Sequence, residues 1–171
     1  MDIRPTSDRL RETLFNVLTA GHPEALAGSV WLDLFAGTGA VGIEALSRGA
    51  HMVHFVESSA RAAAVIRENL RALGVSEGFQ IHERAVQRAL RLLDGQAVEP
   101  NCIFLDPPYR KQETYGETLR FLSQSRLLRP ASVVIAEHEK KFDPGERFAA
   151  LQRYRRLQQG DATLSFYRLS A

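Results

Sequence analysis

The chain has 171 residues, of which 44% are hydrophobic and 25% charged, and its formal net charge is only +2. This length and composition are typical of one globular domain, 1–171, and no apolar run approaches the ~20 residues that a membrane span requires. The single cysteine, Cys102, excludes an internal disulfide framework, and the five histidines show no metal-ligand spacing. We therefore expect a monomeric cytoplasmic protein without a metal site.

The spacing of apolar residues predicts the order of helices and strands. Leu10, Leu14 and Leu18 recur at helical spacing, which predicts a first helix over residues 7–19. Short apolar runs bounded by turn residues then predict buried strands that alternate with helices. The predicted strands are 30–35, 51–56, 79–82, 102–105 and 131–137. Four helices are predicted between them. The first follows the glycine-rich turn and ends near Arg48, and the others span 58–73, 86–93 and 113–123.

The alternation of strands and helices predicts an α/β fold with a parallel sheet and helices on both faces. The last two apolar segments, 148–157 and 162–169, flank a short turn and leave no room for a crossover helix. They predict an antiparallel hairpin. The expected architecture is therefore a mostly parallel seven-stranded sheet that ends in an antiparallel hairpin.

A glycine-rich turn follows the first predicted strand. Gly37 and Gly39 allow the backbone to turn sharply and to approach a ligand closely, and the next helix presents unpaired N–H groups there. Glu57 ends the second predicted strand, where its carboxylate can accept hydrogen bonds from ribose hydroxyls. The other residues expected at this cofactor site are Asp33, Phe35, Ala36, Thr38 and Ser58.

Two cofactors fit this turn. Gly37, Gly39 and Gly42, followed by Glu57, satisfy the dinucleotide fingerprint, so an NAD-linked oxidoreductase is one interpretation. Asp33 favours another, because a carboxylate within this strand end can contact the methionine part of S-adenosylmethionine, directly or through the turn. A dinucleotide site needs no acid at that position. The segment that follows the fourth predicted strand also favours S-adenosylmethionine.

That segment is Asp106-Pro107-Pro108-Tyr109. The two prolines stiffen the backbone and leave carbonyl groups available as acceptors. Asp106 and an adjacent carbonyl form a fork of two acceptors that matches the two N–H bonds of an amino group on a base. Tyr109 offers a flat face on which a base can stack. The four residues are therefore candidate catalytic residues.

The chemistry of a base amine explains the fork. The lone pair of such an amine is delocalised into the ring, and two acceptors on its hydrogens localise that pair and aim it at a methyl carbon. Catalysis then depends mainly on alignment and electrostatics, and Asp106 can take up the released proton. A base within a helix must be unstacked to reach the pocket.

The N-terminal block 4–16, the glycine turn and the Asp-Pro-Pro-Tyr segment together resemble the RsmD-type bacterial ribosomal RNA methyltransferases. The resemblance covers nearly the whole chain. It implies a Rossmann-like class I methyltransferase fold, S-adenosylmethionine as cofactor, and methylation of the N2 amine of a guanine in small-subunit ribosomal RNA, free or in an assembling subunit. It also implies that the first helix, within residues 1–20, flanks the active site, with Arg4, Thr6 and Arg9 facing its entrance.

Two features depart from the family pattern. Family members usually carry a basic segment upstream of the Arg-Pro-Thr block, whereas this chain starts almost at the block. The Asp or Asn that commonly reads the adenine amine after the third strand is replaced by Arg84, which cannot accept a hydrogen bond. Backbone groups of Arg84 and Ala85 are expected to meet the adenine instead, with Glu83 or a carbonyl as acceptor. Glu137 ends the fifth predicted strand near the active edge, where an acid is often only solvated.

Three alternatives remain beside the guanine-N2 methyltransferase. The same Asp-Pro-Pro-Tyr segment serves in adenine-N6 methyltransferases of DNA or RNA, although no target-recognition domain for DNA is evident. An NAD-linked oxidoreductase would use the glycine turn and have no need of Asp106. A non-catalytic RNA-binding protein on a methyltransferase scaffold would bind RNA without turnover.

Overall fold

The computed structural model describes residues 7–108 and 110–170. Within them, five helices and eight strands follow one another along the chain. The helices are α1 (Asp8–Leu18), α2 (Ala40–Ser47), α3 (Ala60–Ala72), α4 (Val86–Gly95) and α5 (Glu113–Gln124). The strands are β1 (Val30–Leu34), β2 (Met52–Val56), β3 (Phe79–His82), β4 (Cys102–Leu105), β5 (Val133–Glu139), β6 (Arg147–Phe148), β7 (Leu151–Gln159) and β8 (Ala162–Leu169).

The strands form one sheet in the order β3-β2-β1-β4-β5-β8-β7-β6. β1 to β5 are parallel to one another, whereas β8 runs antiparallel to both β5 and β7. The chain winds outward from β1 to β3 and then returns to place β4 on the other side of β1. This reversal opens a crevice at the carboxyl ends of β1 and β4, which is where ligands bind in open α/β sheets.

Helices cover both faces of the sheet, as predicted. On one face, here called the α1 face, α1, α2 and α3 pack on alternate strand residues such as Trp31, Phe104 and Phe166. On the opposite face, the α4 face, α4 and α5 pack on the intervening residues, including Ile103 and Leu105. Burial of both faces explains why the central strands are continuous apolar runs rather than alternating ones.

The predicted fold class is confirmed, but the sheet has eight strands rather than seven. The segment expected to run as one strand from Phe148 is interrupted at Ala149, whose φ of 52° lies in the left-handed region. Arg147 and Phe148 therefore form the short strand β6, and the chain turns before β7 begins at Leu151. Within the described residues, no helix has both the length and the apolar character of a membrane span.

Gly42, at the third position of α2, sets how closely this helix approaches β2. A Cβ added at Gly42 would lie 2.4 Å from Cε1 of Phe55 and 2.8 Å from Cγ1 of Val53. We expect Gly42→Ala to lower the free energy of unfolding by about 1–3 kcal/mol because the packed core must shift. Urea denaturation measures this. The control is Gly95→Ala, where the added Cβ meets no atom within 4 Å; equal losses in both variants would contradict the packing argument.

Candidate active site

The carboxyl ends of the central strands lie level along one edge of the sheet. Leu34 pairs with both Val56 and Leu105, and Leu105 pairs in turn with Ala136. The residues that come next along this edge are Phe35, Glu57, Asp106 and Glu137. The topology therefore brings the glycine turn after β1 beside the start of the Asp-Pro-Pro segment after β4, and two further carboxylates flank them.

The glycine turn reverses the chain between β1 and α2. Phe35, Gly37 and Gly39 have φ angles of 59°, 58° and 81°, so three residues of the turn adopt the left-handed conformation. At Phe35 this conformation is strained, and such strain in non-glycine residues is concentrated at functional sites. The Ala36 N–H donates to the Val56 carbonyl at 3.0 Å, which fastens the turn to the end of β2.

Glu57 holds the glycine turn from the neighbouring strand end. One carboxylate oxygen accepts the Gly37 N–H and the other accepts the Ser59 N–H, both at 2.9 Å. Each oxygen retains a further lone pair, so the side chain can still accept hydrogen bonds from the two hydroxyls of a ribose. Ser58 is exposed beside it. The residues present thus fit the ribose of a nucleoside cofactor.

Asp33 contacts the backbone at the start of α2. Its side chain is buried, and it accepts the Gly42 N–H at 3.0 Å. Gly39, the N-cap of α2, has no side chain to fill this role, so Asp33 caps the helix from β1. Burial, with a smaller contribution from the charge of Glu57, raises the pKa of Asp33 to about 8 against the lowering effect of the Gly42 hydrogen bond.

Asn69 is a residue of this site that the sequence did not single out. Its amide N–H donates to the Thr38 carbonyl at 3.0 Å, which ties the outer side of the glycine turn to α3. A cavity of about 380 Å³ adjoins this contact, between α2 and α3, with Arg11 of α1 at its rim. Neither Glu57 nor Asp106 lines that cavity, so it is separate from the crevice between β1 and β4.

The end of β3 presents polar groups at the surface. Arg84 and Ala85 are exposed, and the Arg84 N–H donates to the His82 carbonyl at 3.0 Å. Glu83 is also exposed and forms a 3.4 Å ion pair with Arg67. The position of these groups at the end of β3 is compatible with contact to the edge of an adenine ring. That a backbone group or Glu83 accepts the adenine amine stays a prediction.

Three buried histidines pack against neighbouring groups. His54 and His82 share an Nδ1···Nε2 hydrogen bond of 3.0 Å, and burial lowers the pKa of His54 to about 4. His138 contacts the Ser165 hydroxyl at 2.8 Å through Nε2, and burial lowers its pKa as well. Within residues 7–108 and 110–170, no group of three or more His, Cys, Asp or Glu could hold a metal ion.

At the end of β4, Asp106 is half-buried, Pro107 is buried and Pro108 is exposed. The Pro108 carbonyl accepts the Lys111 N–H at 3.0 Å, which closes the turn after the prolines. Tyr109, the fourth residue of the segment, lies outside the described residues, as do Arg4 and Thr6. Arg9 is exposed on the first turn of α1.

Of the two environments considered for Glu137, the solvated one is wrong. Its side chain is buried, with 5% of the residue exposed. The Tyr115 hydroxyl donates to the Glu137 carbonyl at 2.6 Å and fixes the backbone at this end of β5. Because Glu137 follows Ala136 as Asp106 follows Leu105, the two acids are neighbours along the carboxyl edge. Only the pairing of β5 with β4 reveals this.

The fold and the site define a class I methyltransferase. A solved structure described as the putative methyltransferase yhhF from Escherichia coli superposes with a TM-score of 0.82 at 28% identity, covering 98% of this chain and 89% of that one. This class uses S-adenosylmethionine, the cofactor favoured by the sequence. An NAD-linked oxidoreductase is not supported, because the dinucleotide fold continues with a parallel strand where β8 runs antiparallel.

Residues 1–168 match the family described as Conserved hypothetical protein 95. A putative rRNA methyltransferase, YlbH of Bacillus subtilis, is 31% identical over 165 residues, which are 96% of this chain and 87% of that protein. Ribosomal RNA small subunit methyltransferase D of Haemophilus influenzae is 35% identical over 140 residues, 81% of this chain and 69% of that protein. The chain therefore belongs to this RsmD-type family.

The raised pKa of Asp33 predicts a pH dependence of stability. Its carboxyl titrates near 3.8 when unfolded and near 8 when folded, so the folded state binds the proton more tightly. The free energy of unfolding should therefore fall as pH rises from 5 to 8, by an amount on the order of several kcal/mol. Asp33→Asn keeps an acceptor for the Gly42 N–H and removes the titration, so its stability relative to wild type should rise over this range.

Chemical denaturation of both proteins at each pH measures the difference. The control is Asp143→Asn, because the hydrogen bond from Arg153 lowers the pKa of Asp143 to about 2 and its contribution is constant above pH 5. A stability difference between wild type and Asp33→Asn that does not change between pH 5 and 8 would show that Asp33 is ionised in the folded protein.

Proposed function

We propose that this protein transfers the methyl group of S-adenosylmethionine to the N2 amine of a guanine in small-subunit ribosomal RNA. The observation that carries the proposal is the juxtaposition of Asp106 and the glycine turn at neighbouring strand ends, in a chain of the RsmD-type family. Relatives named ribosomal RNA small subunit methyltransferase D support the RNA substrate. The substrate is either the free RNA or an assembling small subunit.

The glycine turn and its supports hold the cofactor in this proposal. Gly37 and Gly39 let the backbone approach it, Glu57 accepts the ribose hydroxyls, and backbone groups of Arg84 and Ala85 meet the adenine. The buried Asp33 keeps the start of α2 in place behind the turn. When bound, S-adenosylmethionine supplies a methyl carbon on a positively charged sulphur, open to in-line attack by nitrogen.

Asp106 orients the attacking amine. Its carboxylate and a carbonyl of the following proline segment accept the two N–H bonds, which localises the lone pair toward the crevice. Asp106 then receives the proton that the methylated nitrogen releases. The burial of Pro107 keeps this arrangement rigid, so the fork need not reorganise during the reaction.

Glu137 supports guanine rather than adenine as the target base. The N2 amine of guanine lies next to N1–H, a donor, whereas the N6 amine of adenine lies next to N1, an acceptor. A carboxylate beside Asp106 can accept the guanine N1–H and would repel the lone pair of adenine N1. Two neighbouring acids on this edge therefore match the two adjacent donor groups of guanine.

The function is tested first with Asp106→Asn. We expect wild type to methylate unmodified small-subunit ribosomal RNA or assembling subunits, and Asp106→Asn to lower kcat by roughly 100-fold or more because one acceptor of the fork is weakened and the proton acceptor is lost. Calorimetry should show that both proteins bind S-adenosylmethionine with similar affinity and that neither binds NAD.

The possible failures are distinguishable. RNA binding without turnover by the wild type would favour the non-catalytic alternative. NAD binding would overturn the cofactor assignment. A methylated adenine in the product would show that the target base is adenine rather than guanine. Full activity of Asp106→Asn would remove Asp106 from the reaction.

Glu137 is tested by its effect on base selection. Once the methylated guanine is mapped, it is replaced by 2-aminopurine, which keeps the 2-amino group but has no N1–H. Wild type should prefer guanine, and Glu137→Gln should reduce that preference by about tenfold or more because an amide can donate to the bare N1. Glu139→Gln, two residues later on β5, is the control. An unchanged preference in Glu137→Gln would assign Glu137 a structural role only.

A further inference from the structure

The C-terminal hairpin differs in charge from the rest of the chain. Residues 147–169 contain five arginines and one acidic residue, so this segment carries a net charge of +4. The other residues contain 17 basic and 19 acidic side chains and have a net charge of −2. The small overall charge of the protein therefore hides a concentrated basic segment, and such segments attract polyanions.

The sheet register places part of this charge on a single face. Arg147 pairs with Gln152, and Gln152 pairs with Arg168, so these three side chains form a row across β6, β7 and β8. Arg155 pairs with Phe166, a residue of the core beneath the α1 face. Because paired residues share a face and side chains alternate along a strand, all of these residues project on the α1 face.

Tyr154 joins the same surface through an irregularity in β7. The register shifts between Arg153 and Arg155, which leaves Tyr154 as an extra residue, and its ring contacts the ring of Phe166 at a centroid distance of 6.2 Å. The guanidinium of Arg168 lies 4.3 Å from the centroid of Tyr154. Tyr154 is nevertheless 41% exposed, which is unusual among the large apolar or aromatic side chains of this protein. A bulge thus turns an aromatic ring outward among arginines.

We define the hairpin patch as Arg147, Gln152, Tyr154, Arg155 and Arg168, all of which are exposed. None of its three arginines forms an ion pair with another described residue. Arg153 shows the contrast, because it lies on the other face of β7 and pairs with Asp143 at 2.7 Å. One Arg147 N–H donates to the Gln152 side chain at 2.5 Å, but no acid among the described residues neutralises the three arginines, so their charge remains available to an anionic partner.

The patch lies on the same face as the acids of the active site. Asp33 binds Gly42 of α2, which packs on the α1 face, and Glu137 follows the same alternation. The Thr13 hydroxyl donates to the Gln159 side chain at 2.6 Å, which joins α1 to β7. β7 is three strand spacings of ~4.8 Å from β4, and the register places Arg155 level with Phe104, two residues before Asp106. Arg168 lies two residues further toward the amino end of β4, so the patch is roughly 15–25 Å from Asp106.

We propose that the hairpin patch binds the sugar–phosphate backbone of the RNA that flanks the target guanine. This inference rests on the proposed function for the identity of the polyanion. The arginines contact phosphates, and Tyr154 with Arg168 offers a flat surface on which an unpaired base stacks. A distance of roughly 15–25 Å is spanned by several nucleotides, so one RNA segment reaches both the patch and the crevice.

Arginines on an outer strand also prevent sheets from pairing edge to edge. Within the part of the chain that the structure describes, residues 154–159 of β7 have no partner strand on their outer side, because β6 pairs with Leu151 and Gln152. Prevention of edge-to-edge pairing requires charge on the strand but does not depend on which face carries it. It therefore does not explain why three arginines and an exposed aromatic ring share one face. The two explanations therefore differ in which face of β7 matters.

The test compares two faces of the same hairpin. Arg155→Gln combined with Arg168→Gln removes two charges from the patch, and Arg156→Gln combined with Arg88→Gln removes two exposed charges elsewhere, Arg156 being on the α4 face of β7. Binding of purified small-subunit ribosomal RNA is measured by filter binding over a salt series. We expect the patch variant to lose about tenfold or more in affinity and roughly 1–2 in the slope of log K against log salt, with the control near wild type.

The steady-state kinetics of methyl transfer provide a second measurement. The patch variant should raise KM for RNA while kcat and the affinity for S-adenosylmethionine stay unchanged. Equal losses in both variants would show a general charge effect and overturn the assignment to this face, as would unchanged binding of naked RNA. Weakened binding to the ribosomal subunit alone would identify a ribosomal protein as the partner instead. A wild type that binds RNA through the patch but transfers no methyl group would refute the proposed function and leave this inference standing.

Discussion

The reversal of strand order between β1 and β4 is the constraint on which the site depends. Because successive crossovers are right-handed, the connections after β1 and β2 place α2 and α3 on one face, and the return to β4 places α4 and α5 on the other. The connections on either side of the reversal leave in opposite directions, which opens the crevice between β1 and β4. The glycine turn and Asp106 meet there although they are about seventy residues apart in sequence.

Two acidic side chains hold the glycine turn by its backbone. Glu57 binds the N–H groups of Gly37 and Ser59, and Asp33 binds that of Gly42. These bonds offset the strain of a left-handed Phe35 and keep the turn in its binding conformation before any cofactor arrives. The turn is therefore preorganised by neighbouring strands rather than by its own sequence, which explains why the glycines alone do not distinguish one nucleoside cofactor from another.

Local periodicity was enough to predict most of the fold, because buried strands and amphipathic helices differ in the spacing of their apolar residues. The eighth strand was missed since a single left-handed residue, Ala149, divides it from β7. Residues whose roles arise from pairing across the sheet were also missed. Asn69 reaches Thr38 from another helix, and Glu137 is buried only because β5 lies between β4 and β8. Sequence spacing carries no information about such contacts.

The two faces of the sheet differ in what they place beside the carboxyl edge. On the α4 face, α5 packs closely and Tyr115 fixes the backbone at the end of β5, so this face supports the carboxyl edge from behind. On the α1 face, Glu137, α1 and the hairpin patch follow one another toward the outer strands. An RNA that extends from the crevice along α1 therefore meets the arginines of the hairpin patch. The antiparallel β8 makes this possible, because it lies between β5 and β7 and its register places Arg147, Arg155 and Arg168 on the same face as Glu137.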